Sequence, residues 1–151
     1  MSVPTSLALL AGDWKGTNRL YLPPASTFDS DSRAHVSLRI SGQFIGIAYT
    51  WEYEGNPHEG LLIVGCDNKS NAAQAVWTDS WHMSHKFMLC DGTTDSDGMI
   101  DVKGYYQVEG HPDWGWRTTI EPNGDAFKYT MYNVTPEGDE MLAVETNFTR
   151  A

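Results

Sequence analysis

Residues 11–24, AGDWKGTNRLYLPP, place Gly12-x-Trp14-x-Gly16 at the head of an alternating run that stops at Pro23-Pro24. The rest of the chain repeats short alternating segments without a long helical period. A Gly-x-Trp entry into a meander of strands is the pattern of small closed antiparallel barrels that hold a ligand inside. Strands are expected at Trp14–Leu22, Arg33–Ser41, Gln43–Tyr53, Glu59–Cys66, Ala73–Asp79, Lys86–Cys90, Met99–Val108, Trp114–Glu121, Ala126–Asn133 and Glu140–Arg150. Most are joined by turn formers, as at Ser41-Gly42, Glu54-Gly55-Asn56-Pro57, Asp97-Gly98, Pro122-Asn123-Gly124-Asp125 and Pro136-Glu137-Gly138-Asp139. Such loops make consecutive hairpins. The expected fold is therefore all-β, an up-and-down antiparallel barrel of about ten strands.

Ahead of the barrel, Thr5-Ser6-Leu7-Ala8-Leu9-Leu10 reads as a hydroxyl cap and one helical turn, laying Leu7 and Leu10 across an open end. Two longer links, 23–32 and 80–85, are the places for a portal or lid, because long loops in compact domains are usually functional or mobile.

The 151 residues fit a single domain, 1–151, and the 40% apolar content, with six Trp, seven Tyr and five Phe, is enough for a core. A formal charge of -10 repels phosphate backbones and anionic headgroups, which argues against nucleic acid and membrane surfaces as partners. No run approaches the ~20 apolar residues of a membrane span. Residues 1–14 lack the basic segment of a signal peptide, so a cytoplasmic location is expected. Cys66 and Cys90 fall on different strands, have no Cys-x-x-Cys partner, and read as reduced, half-buried thiols.

Alternation sorts the strand residues into faces without saying which face is luminal. In the third strand Ile45, Ile47, Tyr49, Trp51 and Tyr53 alternate with Phe44, Gly46, Ala48, Thr50 and Glu52. In the eighth, Trp114, Trp116, Thr118 and Ile120 alternate with Gly115, Arg117, Thr119 and Glu121. The histidine pair His82 and His85 lies beside Asp79, but on an extended segment the two rings point to opposite faces, and a third metal ligand is wanting. The run Asp79-Ser80-x-His82 holds the residue types of a hydrolytic triad, yet triad members converge from different parts of a fold; it reads as a strand end and turn. The polar set Glu52, Asp79, Arg117 and Glu145 sits among aromatics, where an inward-facing Arg with carboxylates would form a paired cluster able to orient a ligand.

The order of Leu10-Ala11-Gly12-x-Trp14-x-Gly16, Trp51-Glu52-Tyr53, Trp77-x-Asp79-Ser80, Trp116-Arg117 and Glu145-x-x-Phe148-Thr149-Arg150 resembles the DUF1579 family of small bacterial barrels, in the calycin-like class with lipocalins and fatty-acid-binding proteins. The resemblance implies a barrel of about ten strands and a floor closed by Trp14 stacked against Arg150. The opening, with Tyr21-x-Pro23, also resembles nitrobindin-type haem barrels, which hold haem by a histidine near the C-terminus. Residues 141–150 contain no histidine, so no haem or other cofactor is expected.

The function expected from these readings is binding of a small hydrophobic or amphipathic molecule inside the barrel. Trp51, Tyr53, Trp77, Tyr105, Trp116, Tyr129 and Tyr132 are the candidate walls, Arg117 with Glu145 the polar anchors, Asp79 a further ligand-binding candidate, and His82 a polar contact at the mouth. No metal ligands are assigned. The alternatives are an enzyme using His82 or a carboxylate as acid or base in the same cavity, and a filled barrel whose exposed Tyr- and Trp-rich strand faces assemble a homodimer.

Overall fold

The computed structural model describes residues 2–151. A single turn, α1 (Thr5–Ala8), precedes ten strands: β1 (Gly12–Leu22), β2 (Ser26–Arg39), β3 (Phe44–Tyr53), β4 (Asn56–Asp67), β5 (Ala72–Asp79), β6 (Met88–Thr94), β7 (Ile100–Tyr106), β8 (Trp114–Asn123), β9 (Ala126–Val134) and β10 (Glu140–Arg150). Each strand pairs antiparallel with its sequence neighbours, and β1 pairs with β10 to close the barrel. The all-β up-and-down barrel read from the sequence is the fold observed.

The closing seam explains the opening motif. Trp14 lies opposite Arg150 and Gly16 opposite Phe148. A β-carbon on Gly16 would sit 2.1 Å from the carbonyl oxygen of Asn147, so only glycine permits this approach of β1 and β10. The Arg150 guanidinium carbon lies 4.0 Å from the Trp14 ring centroid, a cation–π stack. Its two terminal nitrogens donate to the carbonyls of Ala11 and Leu9 at 2.8 and 2.6 Å, and Trp14 Nε1 donates to Leu10 O at 2.7 Å. These bonds satisfy carbonyls at the end of α1 that have no partner within so short a helix. Leu7 and Leu10 are fully buried against this end, while Pro4 occupies the cap position and no side-chain hydroxyl caps the turn.

One expected loop is a strand. Residues 26–32, expected in a portal because the link is long, extend β2 and pair with β1 from Leu22 opposite Ser26 to Gly16 opposite Ser32. Their alternation is real but written in polar residues: Ser30 and Ser32 face inward and are buried, whereas Asp29 and Asp31 face out. Asp29 accepts both bonds of Arg19 across the ladder, at 2.8 and 2.9 Å. The link 80–85 does remain irregular and extends to 87, taking the first two residues of the expected sixth strand, and a further loop, 107–113, takes the last two of the expected seventh.

The lumen is packed. Ile45, Leu62, Val64, Cys90, Ile100, Thr118 and Ile120 point inward and expose none of their surface, so none borders a void that would admit water. Phe127 stacks on Phe148 at 4.8 Å and meets Trp14 edge-on at 4.9 Å, filling the closed end. Trp14→Ala removes the ring on which this end is built; equilibrium urea unfolding should show a loss of about 3–5 kcal/mol.

Candidate functional site

Trp14 sits at the closed end; the other five tryptophans, Trp51, Trp77, Trp81, Trp114 and Trp116, gather at the opposite mouth. There β3 and β5 finish, β8 begins and the segment 80–87 crosses between β5 and β6. The residue that organises them is Asp79, at the last position of β5 and buried. Its Oδ2 accepts from Tyr49 Oη at 2.7 Å and Trp51 Nε1 at 3.1 Å, and its Oδ1 accepts from the backbone N–H groups of Trp81 and His82 at 2.9 and 3.1 Å. Trp77 Nε1 donates in turn to Tyr49 Oη at 3.0 Å. A carboxylate offers about four acceptor sites, and here all are used. Tyr49 reaches this network because Gly60 lies opposite it on β4; a β-carbon there would stand 2.2 Å from the phenol ring.

The two N–H bonds to Asp79 turn the chain at 81–82 and lay His82 among aromatic rings. Its imidazole is nearly parallel to Trp51 at 5.6 Å, edge-on to Trp81 at 4.7 Å, and 5.9 and 5.1 Å from Trp77 and Trp116, which stack on each other at 5.2 Å. Loss of hydration in this surrounding lowers the His82 pKa to about 4; the Asp79 carboxylate opposes the shift and His58 adds to it. His82 is therefore neutral at physiological pH. Its Nε2 is buried without a hydrogen-bond partner, and so is Trp116 Nε1. Deeper on the same face, the Tyr129 hydroxyl is also buried and burial pushes its pKa up.

A cavity of about 610 Å³ opens beside these rings, lined by Trp77, Trp81, His82, Met88, Tyr106 and Trp116, with Met83, Lys86, Phe87 and Tyr105 toward the rim. Tyr106 Oη donates to Asn133 Oδ1 at 2.6 Å across the mouth.

Of the residues singled out in the sequence, Trp51, Tyr53, Trp77, Asp79, Trp116 and Tyr129 lie on inward-facing positions and His82 covers the mouth. Four do not join them. Arg117 and Glu145 do not form a luminal anchor: they lie on the outer wall, where Arg117 pairs with Asp101 at 2.8 Å and Glu140 at 3.2 Å, and Glu145 with Lys128 at 3.6 Å. Tyr132 lies under the Arg117 guanidinium on that wall, and Tyr105 is 62% exposed. The reason is the two-residue strand period: Arg117 must oppose Trp116, and Tyr132 must oppose Tyr129. The mouth residues passed over are Trp81, Met88, Tyr106 and Asn133. Tyr106 was one step of register away from Tyr105, obscured because Gly104, the preceding inward position on β7, carries no side chain to mark the face.

Ser80 does not act with His82. Its Oγ accepts from the Glu59 N–H and lies 3.0 Å from His58 Nδ1, closing the turn after β5. Among the described residues no group of three or more His, Cys, Asp or Glu is placed to hold a metal ion, and no helix is long and apolar enough to cross a membrane.

The family model "Protein of unknown function (DUF1579)" matches residues 4–150, and the chain belongs to that family. Among solved structures it is similar to Rv2717c from M. tuberculosis, with a TM-score of 0.71 at 13% identity over 99% of each chain, a likeness of fold. No curated protein matches it.

Two measurements check the reading of the mouth. Asp79→Asn removes the charge from four hydrogen bonds and should cost about 1.5–3 kcal/mol in urea unfolding, with faster hydrogen exchange at the Trp81 and His82 amides. His82 should titrate by NMR near pH 4, against 6.5 in the unfolded chain. Because the unfolded chain takes up the proton first, stability should fall between those pH values, by up to about 3 kcal/mol, and His82→Phe should flatten that part of the profile.

Proposed function

We propose that this DUF1579 barrel binds a small, flat, uncharged amphipathic molecule at its mouth, between the 80–87 segment and the β7–β8 rim. The observation that carries the reading is a cavity of about 610 Å³ with largely aromatic walls, two of whose lining residues, His82 and Trp116, each hold a ring nitrogen without a partner just behind the wall. Leaving a buried polar group unsatisfied costs about 1–3 kcal/mol, and a small turn of either ring toward the cavity would let a ligand remove that cost. The volume suits a small molecule, for which pockets run ~300–1,000 Å³.

The polar groups specify the ligand's chemistry. Trp116 can only donate, which calls for a carbonyl or ring-nitrogen acceptor. Neutral His82 supplies one donor or one acceptor according to tautomer, and no full charge, so an uncharged group is matched without an ion-pairing demand. The stacked Trp77 and Trp116 rings and the His82 plane present flat surfaces to a flat body. The same features weigh against general acid–base work: a histidine with a pKa near 4 is a feeble base at neutral pH, and Asp79 has no free acceptor site.

The test is a titration with Prodan, an uncharged naphthalene ketone whose emission shifts to the blue in apolar surroundings. Saturable, blue-shifted binding is expected for the wild type. Trp116→Phe, which keeps the wall and removes the donor, should weaken it about tenfold, equivalent to ~1.4 kcal/mol. Absence of saturable binding, or unchanged affinity in both Trp116→Phe and His82→Phe, overturns the reading.

A further inference from the structure

We infer that the outer wall of β3–β5, flanked by β2 and β6, is the contact surface of a symmetric dimer, its occupant a second copy of this chain. The outward row across these strands reads Ser37, Gly46, Ile63, Val76, Leu89. Ile63, Val76 and Leu89 are 37%, 38% and 60% exposed, although no ligand cavity of the mouth touches them. The adjoining row reads His35, Ala48, Leu61, Thr78, and a depression of about 430 Å³ runs over Ile40, Phe44, Gly46, Ala48, Leu61 and Ile63. Elsewhere the outer wall is charged, with Lys15 and Arg19 on β1, Asp101 and Lys103 on β7, Arg117 and Glu121 on β8, and Lys128 and Glu145 on β9 and β10. In a chain of formal charge -10, an uncharged strip of this kind is a local exception.

Charge placement chooses the partner. The next row toward the closed end reads Arg39, Phe44, Gly65, Gln74, Asp91, a cation at one border and an anion at the other. Arg39 makes no ion pair among the described residues. For two copies meeting face to face, the twofold axis lies in the plane of contact. An axis parallel to the strands and over β4 exchanges β2 with β6, which sets Arg39 of each copy opposite Asp91 of the other. It also exchanges β3 with β5, so that Gly46 receives Val76, while Ile63 meets its own counterpart. An axis across the strands would reverse β2 on itself and bring Arg33 toward Arg39, like charge against like. Near the mouth the parallel axis passes over Glu59, two strands from Arg33 in its own copy, and the two Arg33 side chains flank the two Glu59 carboxylates. The row from Arg39 to Asp91 is thus complementary to itself under one twofold operation, the requirement for an isologous interface.

Five strands at ~4.8 Å spacing, over the stretch from Arg33 to Arg39 at ~3.3 Å per residue, outline on the order of 400 Å² of wall per copy. A standard interface takes about 800 Å² per partner, so the dimer is a concentration-dependent one.

Sedimentation equilibrium over a wide dilution series tests this. The weight-average mass of the wild type should rise from 16.8 kDa toward twice that value as concentration increases, and less so at high salt. Ile63→Asp should hold the chain at monomer mass, and Arg39→Glu should weaken association about tenfold. Arg39→Glu combined with Asp91→Arg should restore it to near wild type, because the exchange again sets opposite charges against each other across the axis; these exposed changes leave the thermal midpoint in place even where Ile63→Asp lowers it. A wild type that stays monomeric at every concentration, a dimer indifferent to Ile63→Asp, or a charge swap no better than its single change overturns the inference.

Discussion

The mouth of this barrel depends on one buried carboxylate. Asp79 sits away from water with two side-chain donors from β3 and two backbone donors from the following turn converging on it. In doing so it ties the strand to the segment that leaves it. The bonds to Tyr49 and Trp51 fix the planes of those rings, the bond from Trp77 to Tyr49 fixes a third, and the two N–H bonds set where His82 falls. The His82 environment is a consequence of that order. Its imidazole is uncharged at physiological pH because the rings held around it take the place of much of its hydration. A polar interaction therefore creates the apolar site next to it.

The two ends of the barrel use the same kinds of side chain to opposite effect. At the closed end Trp14 and Arg150 direct their donors to carbonyls of Leu9, Leu10 and Ala11, and α1 packs over them. The Trp14 ring nitrogen and the two terminal nitrogens of Arg150 each have a carbonyl partner, although the Ser6 hydroxyl on α1 is buried without one. At the mouth Trp116 Nε1 and His82 Nε2 are left unpaired, although each is as firmly surrounded by rings. Aromatic content does not separate a structural cluster from a receptive one. The separation comes from whether the ring nitrogens are satisfied. Because the side chains between the two ends are close packed, the mouth is a site of its own and not the entrance to an open lumen.

How much of this was legible in the sequence follows from what each signal can encode. Gly-x-Trp-x-Gly and the spacing of turn residues mark strands and hairpins by local chemistry, so the meander and the ten strands could be read directly. A turn does not encode the side toward which a strand's residues point. The bulky residues of β3 had to be luminal, but the sequence offers the same alternation to a barrel lined by the small ones. On β8 and β9 a gathering of Trp116, Arg117, Tyr129 and Tyr132 looked like one site, whereas the period of two divides it between two faces. The role of Asp79 was not legible at all, since Tyr49 and Trp51 lie about thirty positions away and reach it only through the pairing of β3, β4 and β5. Residues 26–32 failed for another reason: inward serines make a strand look like a loop.

The same ambiguity bears on the outer wall. β4 carries Leu61-Leu62-Ile63-Val64, apolar at four successive positions, which is the pattern of a strand covered on both faces. Leu62 and Val64 are fully buried in the lumen, but Leu61 and Ile63 face outward with nothing of this chain over them. A closed barrel has no free strand edges, so association by edge pairing is not open to it and a second molecule can approach only a face. Outward positions of β1 and of β7 through β10 carry charges, as do Asp29, Asp31 and Arg33 on β2 and Glu59 on β4 nearer the mouth. That the middle of this wall carries Gly46, Ala48, Leu61, Ile63, Val76 and Leu89, bordered by Arg39 on one side and Asp91 on the other, is accounted for if that face is covered in the working state of the protein. The run on β4 is then an ordinary doubly covered strand, with one cover supplied by the lumen and the other by the partner.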